Sequence, residues 1–586
     1  MKDPFIEKID DSRRGLEELE KKLKEKGSEK AREILLEFPT VYIHNWKNTK
    51  EYEVYIGETN NILQRTRQHW AEGKVKEDWR RNLLKGNASL YIIGHEHFNK
   101  SLTLDIENRF MMYLMSVECV RRIHNKKTNP QRKYYPGAET DIIFESVWRM
   151  LRRENKELFP SESVIKDSAL FKASPLHRLT DEQLQIKGAI IEKVFLSLQK
   201  QDKHQLIFIE GEAGTGKTVL NSSTFYEIYC YAEENGKEDL RCCMIVNHDE
   251  QITVYRQIAA KLGLTDKYGE VVYKPTSFIN HRTEDDPIDV AFVDEAHLLL
   301  TQGKQSYRGK NQLEDIIRRA RVTVVMFDEN QILTAEQYWE QKNLEHFRRM
   351  AKEQKNYFEL KNQLRIKASE EVIGWIDSFT KERKLCPMPA EKGGYEIRVF
   401  DDPYMMEKTI REKASNADHK LSRLIATYDW DYSNPRDSAS KRLLKYWEVS
   451  VGNWHKPWNY ELDKKADRET RKQKKTLTWA ERPQTIDEVG STYTIHGFDL
   501  NYAGVILGPS VKYRNGRIVF DPDKSKNKKA IQNRTLSDGS RQKFGKQLIQ
   551  HEVRILMTRG VEGLYIYACD DELRKALKQA EAAGEK

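Results

Sequence analysis

An apolar run that leads directly into a glycine-rich turn, QLIFIEGEAGTGKT at residues 205–218, constrains this chain more than any other feature. The run favours a strand, and the pattern after Thr218 turns helical. Glycines let a backbone turn tightly with its amides pointing inward, and such a nest at a helix N-terminus holds phosphate oxygens. The spacing G-x-x-x-x-G-K-[ST] therefore predicts a nucleotide loop: Gly211, Glu212, Ala213, Gly214, Thr215, Gly216, Lys217, Thr218 and Val219. Lys217 is placed to reach the β- and γ-phosphates of ATP, and the Thr218 hydroxyl to ligate Mg²⁺.

The rest of the chain fits that fold class. After residue 178, short apolar runs alternate with helical stretches: LIFIEG, MIVNHD, VAFVDEA and TVVMFDE, then SRLIATYDW, GVILG and GLYIYACD. Short buried strands separated by helices imply a doubly wound, mostly parallel sheet, and there are enough for two lobes, 178–385 and 386–586. Residues 137–177, rich in Ser and Pro toward their end, read as a linker. The first 37 residues read as helix, with Leu16, Leu19 and Leu23 on one face. That face is a candidate oligomer contact, as are the lobe surfaces.

A phosphate loop needs a carboxylate for the metal and a base for water. VAFVDEAH supplies Asp294 at the end of an apolar strand, for Mg²⁺, and Glu295 next to it, for water. LTDEQLQI places Gln183 where it reads an adenine edge. TVVMFDENQ ends in Asp328, Asn330 and Gln331, positioned to sense the γ-phosphate or couple two lobes. YFELKNQLRI carries Arg365, GSTYTIHGFDL carries His496 and Asp499, and EVRILMTRG carries Arg559. In this order the segments resemble the motifs of superfamily-1 helicases, and more closely the Schlafen-like branch of P-loop proteins, over about residues 178–573. The resemblance implies two RecA-like lobes, with Arg365 and Arg559 as arginine fingers that stabilise charge on the transferring phosphoryl group.

Residues 38–136 read as strand, hairpin, strand and helices. VYI at 41–43 and YIG at 55–57 are strand ends. Arg65 and His69 stand one helical turn apart, Glu107 lies on a later helix, and Asn125 and Asn129 follow. The set resembles the GIY-YIG nuclease family, with Val41 where the family has its first glycine. The resemblance implies a small mixed α/β domain that hydrolyses phosphodiesters. Glu107 would hold Mg²⁺, or Mn²⁺ in its place, and Arg65 the scissile phosphate. Tyr42 or Tyr55 would relay a proton, His69 is the candidate base, and Asn125 is preferred to Asn129.

The net charge is +9, and it is clustered. Lys464, Lys465, Arg468, Arg471, Lys472, Lys474 and Lys475 lie near Trp447, Trp454, Trp458 and Trp479. Cations neutralise phosphates and indoles stack on bases, so nucleic acid is the expected partner, DNA ahead of RNA. A second basic stretch, 523–529 with Arg534, Arg541, Lys543 and Lys546, is expected to be disordered when unbound. No apolar run approaches a membrane span, and the six cysteines include no C-x-x-C pair, so a reducing cytoplasm is expected.

Together these features lead to the expectation of an ATP-dependent nuclease with a helicase-type motor. The pairing of such domains in nuclease–helicase fusions implies defence against phage. The alternative is a nucleotide-controlled sensor or assembly switch that licenses the nuclease without unwinding.

Overall fold

The computed structural model describes residues 3–25, 29–70, 87–125, 139–237, 239–303, 306–362, 370–390, 394–432, 446–464, 467 and 477–584. The chain divides into two compact units, one of Met1–Arg178, Phe225–Leu240 and Val254–Val271, the other of Leu179–Thr224, Arg241–Thr253 and Val272–Lys586.

The first unit is built on a five-stranded sheet: β1 (Phe5–Asp10), β2 (Thr40–Asn48), β3 (Glu51–Thr59), β4 (Ala88–Gly94) and β5 (Val120–Ile123), in the order β1-β4-β2-β3-β5. All pairs are antiparallel except β3 with β5. Residues 5–10, expected as helix, are a strand instead. FIEKID is too short to show a helical period, and β4 offers it a full edge to pair with. The helix Arg13–Glu25 does form, but Leu16, Leu19 and Leu23 are buried in the core of this unit. The expected oligomer face is therefore already covered.

The stretch 137–177, expected as a linker, carries the helix Thr140–Glu154. Phe144 and Trp148 pack edge-on against Tyr113, with ring centroids 4.7 and 5.0 Å apart, and Trp148 meets Phe159 at 5.2 Å. Ile143, Phe144, Val147, Trp148 and Leu151 all lie on one buried helical face. The Ser and Pro residues beyond it cap and end short helices, with Trp148 Nε1 donating to the Pro160 carbonyl at 2.8 Å.

The second unit holds two parallel sheets. The larger has six strands: β6 (Gln205–Gly211), β7 (Cys242–Val246), β8 (Val272–Tyr273), β9 (Ile288–Asp294), β10 (Ala320–Phe327) and β11 (Tyr357–Leu360). Their order is β11-β6-β10-β9-β7-β8, and every pair is parallel. The smaller sheet joins β12 (Glu396–Val399), β13 (Arg423–Ala426), β14 (Leu500–Leu507) and β15 (Gly560–Ala568) in the order β12-β15-β14-β13, also parallel throughout. Strands such as Leu206–Ile209 and Val290–Val293 are fully buried, which explains their unbroken apolar runs. Both expected lobes thus have their sheet, and the two sheets belong to one compact unit.

Three of the tryptophans expected to stack on bases are core residues. Trp454, Trp458 and Trp479 are no more than 1% exposed, while Trp447 is half-buried. Trp454 and Trp458 join Phe400, Val449 and Tyr565 in the core of the smaller sheet, and Trp479 Nε1 donates to Glu488 at 2.9 Å. Lys465, Arg468, Arg471, Lys472, Lys474 and Lys475 lie outside the described residues, and so does Arg365. The stretch after Asp523, expected to be disordered, folds into the helix Lys528–Ile531 and the strand pair Arg534–Thr535 and Arg541–Gln542. Arg534 is buried and donates to the Ala335 carbonyl at 2.6 Å. Its charge therefore meets backbone carbonyls and not solvent. Among the described residues, no helix is long and apolar enough to cross a membrane.

Candidate functional site

The ends of β6, β10 and β9, three adjacent parallel strands, gather the chemistry of the second unit. Open parallel sheets bind ligands at the carboxyl ends of their strands. After β6 the chain turns through residues 212–216 and enters the helix Lys217–Glu234. Gly214 and Gly216 have φ of 90° and 78°, values that side chains resist. Thr215 ties the turn by donating from Oγ1 to the Glu212 carbonyl at 2.9 Å.

Lys217 folds back over this turn. Its Nζ donates to the carbonyls of Gly211 and Glu212 at 2.6 and 2.8 Å, and lies 3.4 Å from Asp328 Oδ2, just past β10. Asp328 Oδ2 also accepts from Gln331 Nε2 at 2.6 Å, and Gln331 Oε1 accepts from Arg559 Nη2 at 3.2 Å. A continuous polar chain therefore runs from the loop lysine to Arg559. Arg559 itself is fully buried, and its other nitrogens donate to the carbonyls of Phe498 and Ile555. It does not stand as an open finger here, because its guanidinium is occupied within the fold.

Arg554, the first arginine of EVRILMTRG, is the one that reaches the loop. Its Nη2 donates to Glu212 Oε2 at 2.6 Å, and its Nε to Asp377 Oδ1 at 2.9 Å. Lys381 Nζ donates to Glu212 Oε1 at 2.9 Å. Gln183 also departs from its expected role. Its Oε1 accepts from the Thr180 amide in a capping box, and its Nε2 donates to the Thr215 carbonyl at 3.1 Å. Both ends of its amide are engaged within the protein, so it braces the loop and presents no edge to a base.

Asp294 ends β9 and is buried. Glu295 follows in the left-handed region, φ 49° and ψ 46°, which a residue with a Cβ adopts only at a cost. Gln251 Nε2 donates to its Oε1 at 3.2 Å. Its Oε2 lies 3.2 Å from His297 Nε2 and 3.8 Å from His496 Nε2, and makes no hydrogen bond among the described residues. Burial pushes the Glu295 carboxyl up, but His496, His297 and Lys217 outweigh it and hold it well below the usual range. Burial also drives His496 down to about 4.

The first unit gathers the other candidate residues. Strand pairing sets Tyr42 of β2 opposite Gly57 of β3, and His44 opposite Tyr55. The helix Ile62–Trp70 projects Arg65 and His69 toward them. Tyr42 Oη lies 3.0 Å from His69 Nε2 and accepts from Arg65 Nε at 3.2 Å. Tyr55 packs edge-on against His69, with centroids 5.5 Å apart. Burial raises the Tyr42 phenol far above its usual range, aided by Tyr55 and Glu107 and opposed by Arg65. The phenol stays protonated and is hydrogen-bonded with His69 Nε2, so that nitrogen is engaged within the fold while the bond holds.

Glu107, half-buried on the helix Lys100–Met115, has Oε1 3.4 Å from Asn125 Nδ2. Asn125 itself pins the YIG strand: its Oδ1 accepts from the Ile56 amide at 2.9 Å and its Nδ2 donates to the Ile56 carbonyl at 2.5 Å. Asn129 lies outside the described residues. Sequence reasoning missed Asp11, whose Oδ2 lies 2.6 Å from His44 Nδ1 and whose Oδ1 accepts from Trp70 Nε1 at 3.1 Å. Nothing near Asp11 in the chain marks it, because its partners are 33 and 59 residues away.

Comparison with known proteins follows the second unit. The model of the Schlafen group 3 DNA/RNA helicase domain matches residues 204–570. An uncharacterized protein of Saccharomyces cerevisiae is 31% identical over 481 residues, covering 75% of this chain and 98% of its own length. Among solved structures, the Pif1 helicase of Candida albicans aligns at 13% identity and a TM-score of 0.19, covering 41% of this chain. A structure of two coordinating Pif1 helicases on forked double-stranded DNA aligns at 14% identity and a TM-score of 0.19, again over 41% of this chain. The matched regions make up 55% and 59% of those helicase chains. By the extent of the domain match, this chain belongs to the Schlafen group 3 DNA/RNA helicase family.

Proposed function

We propose that this chain is a nucleic-acid-dependent ATPase of the helicase type, joined to a metal-dependent GIY-YIG endonuclease. The observation that carries the ATPase reading is the unbroken link Lys217–Asp328–Gln331–Arg559. It runs from the loop that would hold phosphate to the strand end of the smaller sheet, so phosphate at Lys217 is read at Arg559.

In this reading the amides of residues 213–218 surround the phosphates, and Lys217 exchanges its two carbonyl partners for phosphate oxygens. Thr218 and Asp294 would hold Mg²⁺, which would neutralise phosphate charge when bound. Glu295 Oε2, ionised, buried and without a hydrogen bond, accepts the proton of the attacking water. Its strained backbone aims that oxygen. The basic stretches then track a nucleic-acid backbone, DNA in preference to RNA.

The nuclease reading rests on the meeting of Tyr42, Tyr55, Arg65, His69 and Glu107 around one point. Arg65 holds the scissile phosphate, Glu107 the metal, and the Tyr42–His69 pair moves the proton. Among the described residues Glu107 is the one carboxylate acting on the Tyr42 phenol, which suits an ion that keeps most of its waters. A relative in yeast that matches over 98% of its own length weighs against a role confined to defence against phage.

A second reading, a nucleotide-controlled switch without unwinding, is favoured by Glu212. That carboxylate holds Arg554 and Lys381 on the loop itself, so phosphate arriving there competes for both cations. Strand displacement on a tailed duplex separates the two. ATP-dependent displacement lost in Lys217→Ala supports the motor. Cutting that responds to ATP with no displacement supports the switch.

A further inference from the structure

We propose that Glu295, His297 and His496 form a site for a tetrahedral transition-metal ion of the zinc type, and that this ion, when bound, takes Glu295 out of use. The first observation is geometric. His297 Nε2 lies 3.2 Å from Glu295 Oε2 and 3.2 Å from His496 Nε2, and the third side of the triangle is 3.8 Å. Zinc bonds of about 2.0–2.1 Å place tetrahedral ligands roughly 3.3 Å apart. The three donors thus already stand near the spacing that a four-coordinate ion imposes.

The second observation is independent. Glu295 Oε2, the oxygen that completes the triangle, is buried and makes no hydrogen bond among the described residues. Buried polar atoms are nearly always satisfied, so an unsatisfied carboxylate oxygen beside two imidazole nitrogens points to a water or an ion. One N–H can serve only one of the contacts among these three donors, whereas a cation between them engages all three at once.

The donor set selects the metal class. Two imidazoles and one carboxylate suit Zn²⁺, Co²⁺ or Cu²⁺, whereas Mg²⁺ prefers oxygen ligands. Two neighbouring positions of different character result, Thr218 with Asp294 for the hard ion and this triangle for the softer one. Gln251, donating to Glu295 Oε1 at 3.2 Å, orients the carboxylate as outer-shell groups do. Among the described residues neither imidazole Nδ1 has an acceptor, so the affinity falls below that of a structural zinc site. Glu295 and His297 follow β9 while His496 precedes β14, so the ion would tie loops of the two sheets together. Inhibition rests on the reading of Glu295 as the base for water; the binding does not.

The test uses nucleotide-free full-length protein. Zinc chloride is titrated calorimetrically, and Co²⁺ serves as the optical probe. One ion should bind, with the intense visible bands of four-coordinate Co²⁺. His297→Gln and His496→Gln should each weaken Zn²⁺ at least tenfold. Zinc-edge X-ray absorption on the unsubstituted protein should read two imidazoles and an oxygen ligand, whatever the variants do to folding. Mg²⁺-dependent ATP turnover should fall with added Zn²⁺, recover with a chelator, and resist Zn²⁺ in His496→Gln. No stoichiometric ion, sulfur ligation, or binding unchanged in both variants would overturn the site. Zn²⁺ bound at the triangle with turnover unchanged would overturn the lock. Turnover by Glu295→Gln without zinc tests the base reading separately.

Discussion

Gly57 lacks a side chain where the Tyr42 ring passes over it: a Cβ on Gly57 would fall 2.3 Å from both Cζ and Oη of Tyr42. The two residues are register partners on β2 and β3, so this approach is built into the pairing. Gly57→Ala should push Tyr42 off His69 and Arg65, and overpacking of this kind costs about 1–3 kcal/mol. The expected outcome is loss of metal-dependent cleavage with ATP turnover unchanged, checked by running both assays on one preparation.

Glu107→Ala should eliminate cleavage while sparing ATP hydrolysis, because its carboxylate stands beside Asn125 and acts on the Tyr42 phenol. Tyr42→Phe should lower cleavage by about 10²–10⁴-fold, the usual worth of a positioned proton relay. Titration with Mg²⁺ and Mn²⁺ against a labelled duplex reads both.

Glu295→Gln should bind ATP and turn it over at least about 100-fold more slowly, since an amide keeps the size of the carboxylate and cannot take a proton. Single-turnover hydrolysis with separate nucleotide binding checks this. Normal turnover would assign the base elsewhere.

Stability should fall between pH 4.5 and about pH 8, from the ordinary carboxyl value to the folded ones. Burial lifts the carboxyls of Glu552 and Glu488 to about 8 and that of Glu250 to about 7. These groups are neutral in the fold and ionise near pH 4 when it opens. The stability they contribute is therefore complete below the unfolded value and is lost as pH climbs to the folded one. Glu552→Gln should flatten the decline by at least about 2 °C in melting temperature across that range. An identical slope in the variant would remove Glu552 from the effect.

Trp458→Ala should cost about 3–5 kcal/mol of stability, because the indole is fully buried in the core of the smaller sheet. Urea unfolding checks this. An unchanged midpoint with weakened nucleic-acid binding would return Trp458 to the role of a base-stacking platform.

The parallel sheets and the phosphate loop were legible because they depend on local pattern. Fully apolar strands, glycines at positive φ and a lysine at fixed spacing need no tertiary information. Arg559 and Arg554 show the limit. They sit five residues apart in one motif, and only packing decides that Arg559 is buried on Gln331 while Arg554 reaches Glu212. Gln183 was read as a base contact because its motif gives the residue and not its partners, and a capping box holds it. The tryptophans misled for a related reason: basic neighbours suggested a surface, whereas the indoles were the anchor of that segment. Strand β1 and Asp11 were invisible because their partners, β4 and His44, lie far along the chain.

The central claim is that two separate phosphate-breaking centres share this chain. The most direct test measures ATP hydrolysis and polymer cleavage side by side, on single- and double-stranded DNA and RNA with Mg²⁺, for the unsubstituted protein, Lys217→Ala and Glu107→Ala. Hydrolysis lost only in Lys217→Ala, with metal-dependent cleavage lost in Glu107→Ala while its ATP turnover persists, is the predicted result. Cleavage that survives in Glu107→Ala, or its absence from every substrate, would contradict the account.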